Sequence, residues 1–131
     1  MTIKEVSGQF DLTADTLRYY EKIGLMDPVP RNENGIRIYG DHDLRRVEFI
    51  KCMRTAGLSI EFLKEYVSLF NQGEHTMQQR KQILEDQRNI LLQRMNDMQK
   101  TLDRLEFKIH HYDEVMADIE RKTATRTDEL E

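Results

Sequence analysis

The sequence predicts a mainly α-helical chain: a small helical head that contains one β-hairpin, followed by a single long helix. Apolar residues recur at helical spacing in four short segments before residue 73. A stretch with two prolines and alternating side chains interrupts these segments, and no Gly or Pro occurs after residue 73. The 131 residues suffice for one modest domain with an appendage, but not for two full cores.

The charge balance does not by itself indicate a nucleic-acid partner. Residues 1–60 hold nine Lys or Arg and nine Asp or Glu, and residues 61–131 hold eleven and fifteen. Residues 1–60 are therefore neutral, and local patterns have to decide their function. No stretch approaches the roughly 18 apolar residues of a membrane span, and the N-terminus lacks a signal-peptide pattern. We therefore expect a cytoplasmic protein without a membrane partner.

The first two predicted helices form a helix-turn-helix. The first helix ends at Asp11, and its apolar residues are Ile3, Val6 and Phe10. Thr13 is placed to cap the second helix, with Asp15 in its first turn and Gly24 at its end. Two short helices joined by such a short turn are typical of DNA-binding heads.

A hairpin is predicted over residues 30–39 and is named the wing. Pro28 and Pro30, at its start, stop any helix. The Asn34-Gly35 pair is typical of a type I′ turn. Strict alternation after this turn predicts two opposite faces, with Arg37 and Tyr39 on one and Ile36 and Ile38 on the other.

Two further helices complete the head, which we assign to residues 1–70. Asp41 is placed to cap the third helix and Gly57 to end it. Its apolar residues are Leu44, Val47, Phe49, Ile50, Cys52, Met53 and Ala56. Ser59 is placed to cap the fourth helix before a break at residues 71–73. The predicted buried stripe of that helix is Ile60, Leu63, Val67 and Phe70.

A capping box, Thr76-x-x-Gln79, opens the long helix, which we assign to residues 76–121. Its apolar residues repeat in heptads, and forty helical residues span about 60 Å. These apolar residues form a stripe along the helix, called the seam, which needs a partner helix to cover it. A second copy of the chain is the simplest partner, so we expect a homodimer. The expected interface is Leu84, Leu91, Met95, Met98, Leu102, Leu105, Ile109, Tyr112 and Met116. Residues 122–131 are predicted to form a polar, frayed tail.

The second helix and the wing together indicate binding to double-stranded DNA. With Leu17 and Tyr20 turned inward, the opposite face of the helix mixes Arg, Tyr and Lys, which suits a major groove as well as a solvated surface. The wing adds two arginines and a phenol on a small protruding hairpin, which offers little apolar core for these side chains to pack against. The candidate DNA-binding residues are Thr13, Asp15, Thr16, Arg18, Tyr19, Tyr20, Lys22, Arg31, Asn34, Arg37 and Tyr39.

The runs at residues 16–25, 30–39 and 49–59 resemble those of MerR-family transcription regulators. The resemblance is close over residues 2–70 and architectural over the long helix. It implies a winged helix-turn-helix, an antiparallel coiled coil of two fifth helices, and an inverted-repeat site in a promoter with an overlong spacer. Family activators distort that spacer so that RNA polymerase can engage the promoter. The heptads alone do not distinguish antiparallel from parallel pairing.

The resemblance also assigns roles to individual residues. It implies that Arg18 and Tyr19 lie on the recognition helix and that Tyr20 lies near the DNA backbone or is packed. It implies that Arg37 and Tyr39 hold phosphates from the wing.

The single cysteine, Cys52, is the candidate sensor. It is either a small buried hydrophobic residue or a thiol that reacts with an aldehyde, a quinone or a nitrosating species. Lys51 and Arg54 would favour the thiolate if they approach the sulfur. The short chain with one cysteine is similar to the MerR subgroup associated with aldehyde and thiol stress. We expect no cofactor and no metal, because one thiol and scattered histidines are too few ligands for a closed site.

Three other functions compete. The chain could be an adaptor that uses its coiled coil, or an architectural winged-helix protein without a sensing role. It could also be an enzyme with Cys52 as nucleophile, for which a spatial partner such as His42 would be needed. No histidine lies close to Cys52 in sequence and no Gly-rich phosphate loop is present, so we expect no enzyme.

Overall fold

The computed structural model describes the backbone of residues 1–130 and the side chains of residues 1–124. Its helices are α1 (Ile3–Phe10), α2 (Ala14–Lys22), α3 (Asp41–Thr55), α4 (Ile60–Gln72) and α5 (Met77–Leu130), with a 3-10 turn at Glu74–Thr76. The prediction of a mainly helical chain with a long C-terminal helix is confirmed. The frayed tail, 122–131, stays a prediction, since the side chains from 125 onward lie outside the described residues.

The chain forms two compact units, Met1–Arg88 and a second unit that starts at Asn89. The first unit contains α1 to α4, the wing and the first turns of α5, and the second contains the remainder of α5. The boundary lies within α5, whereas the sequence predicts a division into 1–70, 76–121 and 122–131. That division stays a prediction.

Side-chain caps define where the helices of the head begin. The Thr13 hydroxyl accepts a hydrogen bond from the Thr16 N–H at 3.1 Å, and the Ser59 hydroxyl accepts one from the Phe62 N–H at 3.1 Å. Both predicted caps are therefore confirmed. The prediction for Asp41 is wrong, because Gly40 is the capping residue and Asp41 is the first residue of α3. The Asp43 carboxylate reaches back to accept from the Gly40 N–H at 2.9 Å.

Thr76 closes the end of α4 instead of opening α5 with Gln79. Its hydroxyl contacts the carbonyl oxygens of Leu69 and Gly73, each at 2.7 Å, and the residue is buried. The predicted capping box is therefore wrong, because the hydroxyl is engaged by carbonyl oxygens of the preceding helix end. The break predicted over residues 71–73 is confined to Gly73, whose φ of 110° ends α4.

The core of the head lies where α1, α2, the wing, α3 and α4 meet. Its buried residues are Val6, Leu17, Tyr20, Leu25, Met26, Val29, Tyr39, Val47, Ile50, Leu58, Phe62 and Leu63. Phe70 was expected in the core, but 46% of it is exposed. The Arg46 and Arg80 guanidinium carbons lie 5.6 and 5.1 Å from the Phe70 ring centroid, so cations cover the ring at the edge of the head.

Replacing the Ser59 cap tests the local stability of α4. Ser59→Ala leaves the Phe62 N–H without its side-chain acceptor and should lower the free energy of unfolding by about 1 kcal/mol. Urea unfolding at one fixed protein concentration measures the change. Ser68→Ala, on the exposed side of the same helix, is the matched control and should be neutral or slightly stabilising. Equal losses in both variants would contradict the capping role.

Candidate nucleic-acid interface

The face of α2 opposite the core is open to solvent. Leu17 and Tyr20 are buried, as predicted, while Asp15, Arg18 and Tyr19 are exposed. Lys22, in the last turn, is exposed as well. Tyr20 is therefore packed in the core, where burial raises the pKa of its hydroxyl against a smaller, opposite effect of Arg54. The short helix presents a stripe of one aromatic and two basic side chains.

The start of α2 is held by local contacts that leave its polar side chains close to the surface. The hydroxyls of Thr13 and Thr16 lie 2.8 Å apart, with Thr13 exposed and Thr16 half-buried. One Arg18 terminal nitrogen lies 2.8 Å from the Asp15 carboxylate, and both side chains are largely exposed. Since exposed ion pairs contribute only about 0–1 kcal/mol, a phosphate or base can take Arg18 from Asp15 at small cost.

The wing turns through a three-residue loop and not through a type I′ turn. Gly35 has a φ of 77°, but Asn34 does not have the positive φ that a type I′ turn requires. The Asn32 side-chain oxygen accepts from the N–H groups of Asn34 and Ile36 at 2.9 and 3.0 Å. The predicted turn type is therefore wrong, because the Asn32 amide organises the loop.

The two predicted faces of the wing are present, and the face with Arg37 and Tyr39 is the one that packs against the head. Alternation holds, but Ile36 and Ile38 are exposed at 49% and 37%, while Tyr39 is only 2% exposed. The Tyr39 backbone bonds to Met1 in both directions: its N–H donates to the Met1 carbonyl at 2.7 Å, and its carbonyl accepts from the Met1 amino group at 2.9 Å. The expectation that Tyr39 is exposed beside Arg37 is corrected, because its ring fills the core beneath the wing.

The Tyr39 hydroxyl is buried and has no hydrogen-bond partner among the described residues. Burial raises its pKa, which keeps the phenol neutral. The phosphate contact expected of Tyr39 stays a prediction, and the structure places its hydroxyl inside the head. Of the candidate DNA-binding residues in the wing, Arg31 and Asn34 are exposed, and the Arg31 guanidinium donates to the Gly35 carbonyl at 2.7 Å.

Arg37 is half-buried and paired with Glu21, a residue that the sequence analysis did not single out. The Arg37 Nε lies 2.7 Å from Glu21 Oε2, and Glu21 Oε1 accepts from the Val29 N–H at 2.8 Å. Burial acts to raise the pKa of Glu21, but the hydrogen bond from Val29 and the contact with Arg37 outweigh it and lower the pKa. The stabilisation is present above the unfolded-state pKa of the carboxyl and is lost as the pH falls through its lower folded-state pKa.

The comparisons with known proteins agree with this arrangement. A family model described as MerR HTH family regulatory protein matches residues 1–69, more than half of the chain. A second model, described as MerR, DNA binding, matches residues 44–107. The chain belongs to the MerR family. Its members are transcriptional regulators and not enzymes, and this MerR-family chain is accordingly a DNA-binding transcriptional regulator.

Three relatives show how far the similarity extends. The chain is 55% identical to the transcriptional regulator AdhR of Bacillus subtilis over 93 residues, which is 71% of this chain and 66% of AdhR. A MerR family regulator from Listeria monocytogenes has a TM-score of 0.91 at 45% identity, with 100% of this chain and 99% of that chain covered. HiNmlR, a family regulator lacking the sensor domain and bound to promoter DNA, has a TM-score of 0.79 at 28% identity, with 88% and 92% covered.

Cys52 of this MerR-family chain is exposed, so the alternative of a buried hydrophobic residue is corrected. On α3, Val47 and Ile50 take the buried positions, and Cys52 lies about 200° further round the helix than Ile50. Lys51 and Arg54 donate to the carbonyl oxygens of Phe10 and Leu58. Both cations are thus engaged by the backbone on either side of α3.

In the part of the chain that the structure describes, no group of three or more His, Cys, Asp or Glu side chains is placed to hold a metal ion. None of the described helices combines the length and the apolar character that a membrane crossing needs.

The buried phenol allows a direct test of the corrected wing. Tyr39→Phe removes an unpartnered hydroxyl from the core, so the free energy of unfolding should stay equal or rise by up to about 1 kcal/mol. DNA affinity should be unchanged, because the hydroxyl does not face the outer side of the wing. Thermal unfolding and a fluorescence-anisotropy titration measure the two quantities. A clear loss of affinity at undiminished stability would restore Tyr39 as a DNA contact.

Proposed function

We propose that this MerR-family regulator acts in the cytoplasm as a homodimer. The dimer binds an inverted repeat in promoter DNA and distorts the spacer, so that RNA polymerase can engage the promoter. The observation that carries the proposal is the exposed stripe of α2 next to the wing, on a head of the MerR type. The similarity to HiNmlR, which is bound to promoter DNA, supports it.

The apolar seam of α5 supports the homodimer. Nearly all of the predicted interface residues are between 37% and 71% exposed in the single chain, and Leu91 is half-buried. Such a stripe along one helix is stabilised when a second helix covers it. We propose that the partner is a second copy in antiparallel orientation, because a two-fold symmetric protein matches an inverted repeat.

Two heads held at a set separation can also change the shape of the DNA between them. Bending or untwisting a site of this size costs on the order of several kcal/mol, so the orientation of the heads decides whether bound DNA is distorted. Contacts from α2 would come from Thr13, Asp15, Thr16, Arg18, Tyr19 and Lys22, and contacts from the wing from Arg31, Asn34 and Arg37. Tyr20 and Tyr39 would support these elements from the core.

Selection from a pool of random-sequence duplexes tests the proposed function. The wild-type protein should enrich an inverted repeat, and its affinity should fall steeply as salt rises. Recovery of no common sequence, or of single half-sites only, would contradict a symmetric promoter-binding dimer.

A charge in the α5 seam tests the dimer. Leu102→Glu should convert the dimer to a monomer and weaken binding to the selected duplex by at least about a hundred-fold, because the two half-sites are no longer linked. Sedimentation and gel-shift titration measure both effects. Phe107→Glu, at a residue that is 73% exposed and off the heptad positions, is the matched control and should stay dimeric. Dissociation of both variants, or of neither, would contradict the assignment of the α5 seam as the dimer interface.

We further propose that Cys52 senses electrophiles such as α,β-unsaturated aldehydes. Its exposure on α3 and the similarity to a single-cysteine MerR subgroup support this role. The thiolate sulfur adds to the β-carbon of the aldehyde, the C=C electron pair moves to the α-carbon, and water supplies the proton. No leaving group or oxidant is needed. The adduct would shift α3 and so rotate the head.

Transcription in vitro from the selected promoter tests the thiol. Because Cys52 is the single cysteine, Cys52→Ser removes every thiol from the chain. Acrolein should change transcription with the wild type and leave the Cys52→Ser variant unaffected. Mass spectrometry should show one added aldehyde per wild-type chain. An equal response in both proteins would end the thiol model.

A further inference from the structure

The wing is weakly held by its own backbone pairing. Within the described residues its β pairing is one isolated bridge between Arg31 and Arg37. That bridge consists of two backbone hydrogen bonds, from Asn32 N–H to the Ile36 carbonyl at 2.9 Å and from Ile38 N–H to the Pro30 carbonyl at 2.7 Å. A two-stranded hairpin of this size is marginally stable in water, so its position depends on contacts with the head.

A single carboxylate in the last turn of α2 contacts the residue before the first arm of the hairpin and a residue of the second arm. Glu21 Oε1 accepts from the Val29 N–H, just before the first arm, and Glu21 Oε2 contacts the Arg37 Nε on the second arm. The exposed fractions of the Arg37 and Glu21 side chains are 21% and 15%, so water competes little for the pair. The Arg37–Glu21 contact joins residues sixteen apart in the sequence and so connects the wing to α2.

We propose that Glu21 is a positioning residue for DNA binding, which locks the wing to α2 and orients the Arg37 guanidinium toward a phosphate. The inference rests on the proposed promoter-binding function. The contact with Glu21 uses the Nε–H of Arg37, and the N–H groups on its two terminal nitrogens are not part of that contact. A guanidinium is planar, so fixing Nε also fixes the plane in which the terminal N–H groups donate.

A positioning role and a purely electrostatic role of Glu21 predict opposite changes in DNA affinity when its charge is removed. An acidic side chain near DNA repels the phosphates, so removing its charge should strengthen binding if Glu21 acts only through its charge. If Glu21 positions the wing, removing the charge should weaken binding, because Arg37 and the wing lose their orientation. The direction of the change therefore separates the two explanations.

Glu21→Gln is the first variant, because the amide is isosteric and can still accept from the Val29 N–H. Its affinity for the selected duplex should fall about ten-fold for each half-site and so about a hundred-fold for the dimer, as expected for the loss of one charge-assisted contact per protomer. The salt dependence should also fall by about one phosphate contact per protomer. Glu33→Gln, on the exposed loop of the wing, is the matched control and should bind equally or slightly more tightly.

An Arg37→Gln background tests whether Glu21 acts through Arg37. In that background Glu21→Gln should cause no further loss and should bind equally or slightly more tightly, since only a negative charge is removed. The same loss of affinity in both backgrounds would overturn the coupling. Equal or tighter binding by the Glu21→Gln single variant would overturn the positioning role itself.

A further variant covers the case in which Glu21→Gln unfolds. Arg37→Lys keeps the charge but lacks the planar fork and the Nε–H that Glu21 holds, so it should weaken binding while its salt dependence stays close to that of the wild type. Undiminished affinity of a folded Arg37→Lys variant would overturn the proposal. Thermal unfolding of every variant separates lost orientation from lost folding. Failure of the wild type to select a duplex would contradict the proposed function instead, before any Glu21 variant is compared.

Discussion

The buried cluster shared by α2 and the wing is the constraint on which the head depends. Leu17 and Tyr20 from the helix and Tyr39 from the hairpin belong to one apolar core with residues of α1, α3 and α4. A nine-residue helix is marginal in isolation, so α2 exists because this face is buried. Once it is buried, Arg18 and Tyr19 have to face solvent. The same core holds the second arm of the wing through the Tyr39 ring.

Electrostatics then distinguishes two arginines that look alike in the sequence. Arg18 pairs with Asp15 in the open, where the pair is screened and easily exchanged for a phosphate. Arg37 pairs with Glu21 where both side chains are mostly buried, so breaking that pair would leave a poorly solvated charge. The first arginine is suited to contact DNA, and the second to combine a contact with the alignment of the wing. A head without net positive charge can thus present cations locally.

The junction between α4 and α5 is also held by specific contacts. The Thr76 hydroxyl is engaged by two carbonyl oxygens at the end of α4, and the Arg80 Nε donates to the same hydroxyl at 3.0 Å. The Phe70 ring is covered by Arg46 from α3 and Arg80 from α5. Within the first compact unit, α3, α4 and the first turns of α5 are therefore mechanically connected. A change at Cys52 on α3 would have a physical route to the start of α5.

By itself the sequence determined the features that depend on neighbours within a few residues or on a regular period. The caps at Thr13 and Ser59, the inward side of α2 and the long heptad helix could all be predicted, because each follows from local hydrogen bonding or periodic burial. The tertiary structure decided which face of the wing is buried, since alternation defines two faces but not what packs beneath them. It also decided the pairing of Glu21 with Arg37, the role of Thr76 and the exposure of Cys52. These features depend on groups that come into contact only when separate elements pack together, and short-range sequence patterns do not predict such contacts.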